Sequence, residues 1–276
     1  MQMSRKATLW GVLFGVFTAL VVAVMPARAE VREEFHKSYL LSADGRISLR
    51  NLNGPVTISA WDKNEVQLDA IKVGDSKERL DEAKIEVTSG SSAIDIRTHY
   101  PEDMHNYRGA TVGYTLHVPR RARLDKIELV NGQIQIDGVQ GGIHASSVNG
   151  AVEARNSMGE MNLHSVNGRV VAELQSAGRL VDLGTVNGQV ALKLPSNASA
   201  EINASTVHGN ISNEFNIPVN RGRFAPGSEM KARLGDGGAQ MKLSTVNGGI
   251  EIQRVPDGKP LSKVTNLLPE DKSRFY

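Results

Sequence analysis

Two stretches of the chain are nearly the same line. Residues 147–154 read SVNGAVEA, and eighteen positions later residues 165–172 read SVNGRVVA. The tripeptide VNG stands at 130–132, 148–150, 166–168, 186–188 and 246–248, with VHG at 207–209. The steps are 18, 18, 20, 21 and 39 residues, the last about two of the others. Self-similarity at a period near 20 residues points to a solenoid, in which small units bury their apolar faces only by stacking.

The residues around the tripeptide carry the same signal. With the Val at zero, position −5 is Ile143, Met161, Val181, Ile202 and Met241, and position −3 is Ala145, Leu163, Leu183, Ala204 and Leu243. Position +4 is Ile134, Val152, Val170, Val190, Ile211 and Ile250. The positions between are polar, among them His144, Asn162, Asp182, Asn203 and Lys242 at −4. Each unit therefore reads as two short strands of period two joined at N-G, with one face apolar and the other wet. A hairpin meander also uses N-G turns. It reverses at every turn, however, and needs no common phase, whereas parallel coils do.

The expected fold is thus all-β: a flattened parallel β-solenoid of 18–21-residue coils with a β-rich N-terminal capping module. Six or seven coils are expected over residues 123–255, each set above its predecessor in sequence. Position +7 holds Asp137, Arg155, Glu173, Lys193 and Glu214, alternating in sign. In register these would form an ion-pair row about 4.8 Å apart. Asn131, Asn149, Asn167, Asn187 and Asn247 occupy the corner with a Gly, and both residue types tolerate left-handed backbone. Stacked Asn side chains can also form a ladder. Strict alternation points these Asn inward and the Val outward; a bend at the corner would reverse that. His208, which breaks the Asn row, reads as a tolerated polar replacement.

The rest of the chain frames the stack. Residues 1–29 read as a signal peptide: Arg5 and Lys6, an uncharged run over 8–24, then Ala27 and Ala29 before the expected cut. An uncleaved anchor is the other reading of that run. Either puts residues 30–276 outside the cytoplasm. Cleavage leaves 29 basic against 30 acidic residues, a balance that does not suggest a nucleic-acid partner. The chain has no cysteine, which excludes disulfides, thiolate metal sites, cysteine nucleophiles and lipid attachment at an N-terminal cysteine.

Residues 30–122 read as the β-rich module. Around Leu52-Asn53-Gly54 it holds one coil of the same geometry. DSKERLDEAK reads as a short helix capped by Asp75, with Glu78 completing a capping box. Residues 213–240 read as one degenerate coil or a loop carrying a strand. Residues 256–276 read as a polar C-terminal tail, expected to be mobile.

The VNG lines and the closing GGAQMKLSTVNGGIEI, behind an export signal and a β-rich front half, resemble a bacterial family. It is the secreted putative-adhesin family, built on a domain of unknown function, and the resemblance spans about 45–254. It implies a β-solenoid at the cell envelope and supplies no catalytic residues.

Chemistry-bearing patterns are sparse. The chain holds no HExxH, GxSxG, P-loop or dinucleotide fingerprint. His144, His164 and Asp182 fall on the polar face of successive coils, where they could meet diagonally around a metal or simply face water. Glu173 with Asp137 or Glu214 is the one carboxylate set a polysaccharide-active enzyme could use. The charge row explains it without an active site. No catalytic, cofactor-binding or metal-binding residue is therefore assigned, and no cofactor is expected. The function expected is non-enzymatic: an exported envelope protein offering sheet faces to a protein or glycan partner, with self-association possible. A polysaccharide-active β-helix enzyme is the alternative. No nucleic-acid partner is expected, and no membrane span once the signal is removed.

Overall fold

A computed structural model describes residues 30–101, 109–176, 178–221 and 227–268. The expected signal segment, 1–29, lies outside the described residues. The chain forms two large mixed β-sheets around one apolar core.

Strands are numbered along the chain. The first sheet runs β1 (Val31–Leu40), β4 (Glu65–Gly74), β7 (Thr111–Pro119), β3 (Val56–Trp61), β9 (Ile134–Asp137), β11 (Val152–Ser157), β13 (Val170–Leu174), β15 (Val190–Leu194), β21 (Ile250–Arg254), β17 (Ile211–Asn213). The second runs β18 (Asn220–Arg221), β19 (Ser228–Leu234), β16 (Ala200–His208), β20 (Ala239–Asn247), β14 (Leu180–Asn187), β12 (Met161–Asn167), β10 (Ile143–Asn149), β8 (Arg123–Asn131), β2 (Arg46–Asn53), β6 (Ala93–His99), β5 (Lys84–Ser89). A short β22 (Val264–Asn266) pairs with β19.

The repeat units pair in parallel and in phase. Ile143 sits beside Met161, Met161 beside Val181, and Val181 beside Met241. In the other sheet Ile134, Val152, Val170, Val190 and Ile250 form one row. All of these are buried. The row is apolar because alternate side chains of a strand point to one face.

The spatial order departs from the sequence order at one place. The last VNG strand, β20, inserts between β14 and β16, so Asn187 neighbours Asn247 and Asn247 neighbours His208. The long gap before the last VNG is what this requires. After β17 the chain returns along β19, antiparallel to β16, and then enters the slot beside β14. Residues 213–240 are therefore the strand-carrying connection of the two alternatives, with two strands in it where one was expected. They carry the outermost strands of the second sheet at this end.

The N-terminal strands join the same two sheets. Asn53 pairs with Asn131 and Val56 with Ile134, so the strands on either side of Gly54 keep the phase of the later repeats. Antiparallel β1, β4 and β7 extend the first sheet, and β5 closes the second. The helix α1 (Lys77–Glu82) is capped by Ser76, whose hydroxyl accepts from Arg79 N, and not by Asp75 as expected. Tyr114 is buried among these strands with its hydroxyl 2.7 Å from Thr98, and burial pushes that phenol up to about 12. Of the expected tail, residues 269–276 lie outside the described residues, and residues 256–268 run back onto the sheets. Ser262 donates to Ala198 O at 2.6 Å, and β22 lies just beyond it.

Candidate interaction faces

The tripeptide corner is built from four positions with separate tasks. Each Gly ends one coil's strand and lies against the Gly of the neighbouring coil. A Cβ on Gly150 would come within 1.9 Å of Gly132 O, and one on Gly168 within 2.0 Å of Gly150 O. Close approach selects glycine here. The corner Asn residues are not in left-handed backbone; among described non-glycine residues only Asn156 and Asn216 have positive φ.

The hydroxyl at −1 turns inward and closes the corner. Ser147, Ser165 and Thr185 donate to the carbonyls of Gly132, Gly150 and Gly168, each at 2.9 Å. Thr245 and Thr206 do the same toward Gly188 and Gly248. The N–H of Gly168 in turn donates to Asn187 O at 3.1 Å. Both backbone groups of the corner glycine are thereby satisfied by the next coil, as buried polar groups require.

The corner Asn side chains point outward, against the inward reading. Each amide donates to the carbonyl oxygen of its neighbour, running Asn247 to Asn187, Asn167, Asn149, Asn131 and Asn53 at 2.8–2.9 Å. The adjoining aliphatic row is also exposed. Val130, Val148, Val166, Val186, Val246 and Val207 are 37–48% accessible and stand one per strand. A continuous aliphatic ridge thus runs beside an amide ladder across the strands of the second sheet.

The polar residues singled out from sequence lie on the two outer faces. His144 Nε2 approaches Glu160 at 3.9 Å, and His164 Nε2 approaches Asp182 at 3.9 Å, with Lys242 3.5 Å from the other Asp182 oxygen. His144 and Asp182 share a row but are separated by the Asn162 strand. Among the described residues no group of three His, Cys, Asp or Glu side chains converges as a metal site would.

The expected alternating charge row is broken twice. Asp137 lies beside Arg155, and Glu173 beside Lys193 with 3.8 Å between charges. Between Arg155 and Glu173 the register shifts at Asn156, whose φ is 50°. Arg155 turns to Glu153 at 2.8 Å instead, while Asn156 donates to Asp137 at 2.8 Å. Insertion of β21 then puts Gln253 beside Lys193, and Glu214 accepts from Arg254 N at 2.8 Å. Each of the three carboxylates thus has its own partner.

A polar cluster that sequence reasoning missed lies on the first sheet's outer face. His36 Nδ1 is 2.7 Å from Asp69, and Gln67 donates to Asp69 at 2.9 Å. Ser59 Oγ is 2.8 Å from His117 Nδ1, and His117 stacks on Trp61 with centroids 5.3 Å apart. Lys63 covers the Trp61 ring at 4.5 Å. The hydrogen bond to Asp69, and then that to Glu34, raises the His36 pKa above its ordinary value. Asp69 is lowered, first by His36. Antiparallel pairing of β1 with β4 and of β4 with β7, and parallel pairing of β3 with β7, bring these residues together, and no local motif announces it.

A groove of about 520 Å³ opens where the valine ridge meets Tyr100. Leu52, Val130 and Val148 line it together with Arg50, Glu128 and Ser146. Tyr100 Oη donates to Asn51 Oδ1 at 3.0 Å, tying that wall to the second sheet.

No family model and no curated protein matches the chain. Solved structures do. A "putative cell adhesion protein" from Clostridium sporogenes is similar over 81% of this chain and 100% of its own, at 11% identity and a TM-score of 0.46. A "putative adhesin" from Bacteroides fragilis is similar over 81% and 97%, at 9% identity and a TM-score of 0.32. A "putative lipid binding protein" from Parabacteroides distasonis is similar over 80% and 96%, at 8% identity and a TM-score of 0.29.

Proposed function

We propose that this chain is an exported, non-enzymatic envelope protein. Its repeats form a flattened β-solenoid whose regular outer faces are offered to a protein or glycan, in the manner of an adhesin. One observation carries the reading: the amide ladder and the valine ridge are spelled out coil after coil on a surface the core does not need. Side chains that repeat outward in register make an extended, periodic surface suited to an extended partner. The carboxylates an enzyme would draw on are each engaged by a neighbour, which favours display over turnover.

Two measurements test this. Mass spectrometry of the periplasmic or secreted fraction should find a chain beginning at Glu30; accumulation of the Met1 form in the cytoplasm would refute export. A panel of purified envelope glycans and proteins should then yield binding that weakens when Val166 and Val186 are both changed to Ser. Release of reducing ends or unsaturated products from any polysaccharide would instead establish the enzyme reading.

A further inference from the structure

The groove at the start of the valine ridge has a chemistry of its own. Arg50 lies in register between Arg97 and Glu128. Arg97 is held by Asp95 at 2.6 Å, and Glu128 by Lys126 at 3.2 Å. Arg50 has no ion pair among the described residues, and its Nε is buried without a hydrogen-bond partner. One oxygen of Asp95, in the neighbouring row, is also buried and unpartnered. Together Asp95, Arg97, Arg50, Glu128 and Lys126 leave one positive charge. A guanidinium is suited to a planar anion, because it offers parallel donors that match a carboxylate's two oxygens.

The walls select the rest of the ligand. Leu52, Val130 and Val148 stand on adjacent strands, about 4.8 Å apart, in a line perpendicular to the strands. Val130 is 37% and Val148 40% accessible. A peptide strand laid along this line would leave amides facing aliphatic side chains that offer them no hydrogen-bond partner. An acyl chain carries no such groups. We propose that this groove is a binding site for a long-chain carboxylate, with its head group on Arg50 and its chain over Leu52, Val130 and Val148. The inference stands apart from the export and display reading, and its failure would leave that reading intact.

The test uses the purified protein and 11-(dansylamino)undecanoate as a fluorescent probe, below its micelle concentration. Laurate should displace the probe, lauramide should do so at least tenfold more weakly, and butyrate should not. Arg50→Gln should weaken laurate at least tenfold and leave lauramide unchanged. Arg50→Lys should recover part of the loss, with unaltered circular dichroism in both variants. Val148→Ser should weaken laurate and lauramide alike, whereas Val246→Ser, outside the groove, should change neither. Equal competition by laurate and lauramide, unchanged laurate affinity in Arg50→Gln, or absence of probe binding would each overturn the proposal.

Discussion

The two edges of the stack solve the same problem in different ways. At the tripeptide edge every connection is two residues long, from 54–55 through 132–133, 150–151, 168–169, 188–189 and 209–210 to 248–249. At the opposite edge the connections vary, with 138–142, 158–160, 175–179 and 195–199 joining successive strands. The first edge is locked by glycine contact, inward hydroxyls and outward amides, so each repeat must carry the same letters. The second keeps some tight glycine contacts, as at Gly141 and Gly178, but shows no side-chain ladder among the described residues. Its connections can change length, and the period drifts from 18 to 21 residues there. Phase in this protein is therefore set at one edge and slack is taken up at the other.

The strongest way to break that contrast is a methyl group on each side. Gly168→Ala should destabilise by about 3 kcal/mol in urea melts, because its Cβ meets backbone and not a movable side chain. Next comes Thr185→Val, which leaves Gly168 O without its hydroxyl donor and should cost about 1–3 kcal/mol. Asn167→Ala removes an exposed rung with two amide bonds, and about 1 kcal/mol is expected in the same assay. Away from the corner, Glu173→Lys should lower stability, and Lys193→Glu in the same chain should restore part of it. A double-mutant cycle should read about 0.2–1 kcal/mol for this exposed pair. The smallest effect belongs to the variable edge. Gly142 has open space around its Cβ position, so Gly142→Ala should shift stability by no more than about 0.5 kcal/mol. Equal losses at Gly142 and Gly168 would erase the distinction between the edges.

Legibility followed the same divide. The phase of the coils could be read from residues 124–254 because the corner repeats its residues, and the rows at −5, −3 and +4 are buried and aligned as expected. Strand order was not readable, since units alike in phase can exchange places without altering any row. Only the 39-residue step hinted that β20 returns to an inner slot. The charge row failed at Asn156 because a single left-handed residue shifts register without leaving a pattern. The inward reading of the corner Asn failed because strict alternation was carried through a bend. The His36–Asp69 pair depends on antiparallel pairing and the Ser59–His117 pair on parallel pairing, each across a long separation, and the groove at Arg50 depends on Tyr100 meeting Asn51 from 49 residues away.

The insertion of β20 offers the most direct test, since the chain has no cysteine to confuse it. Val186 and Val246 are flanked by the aligned pairs Thr185–Thr245 and Asn187–Asn247, which sets them about 4.8 Å apart, within reach of a disulfide. Val186 and Val207 lie two strands apart, at about twice that distance and beyond such reach. Oxidation of a Val186→Cys/Val246→Cys chain should give a fast-migrating cross-linked species on non-reducing gels, and a Val186→Cys/Val207→Cys chain should give none. Efficient cross-linking of 186 to 207 would contradict the account.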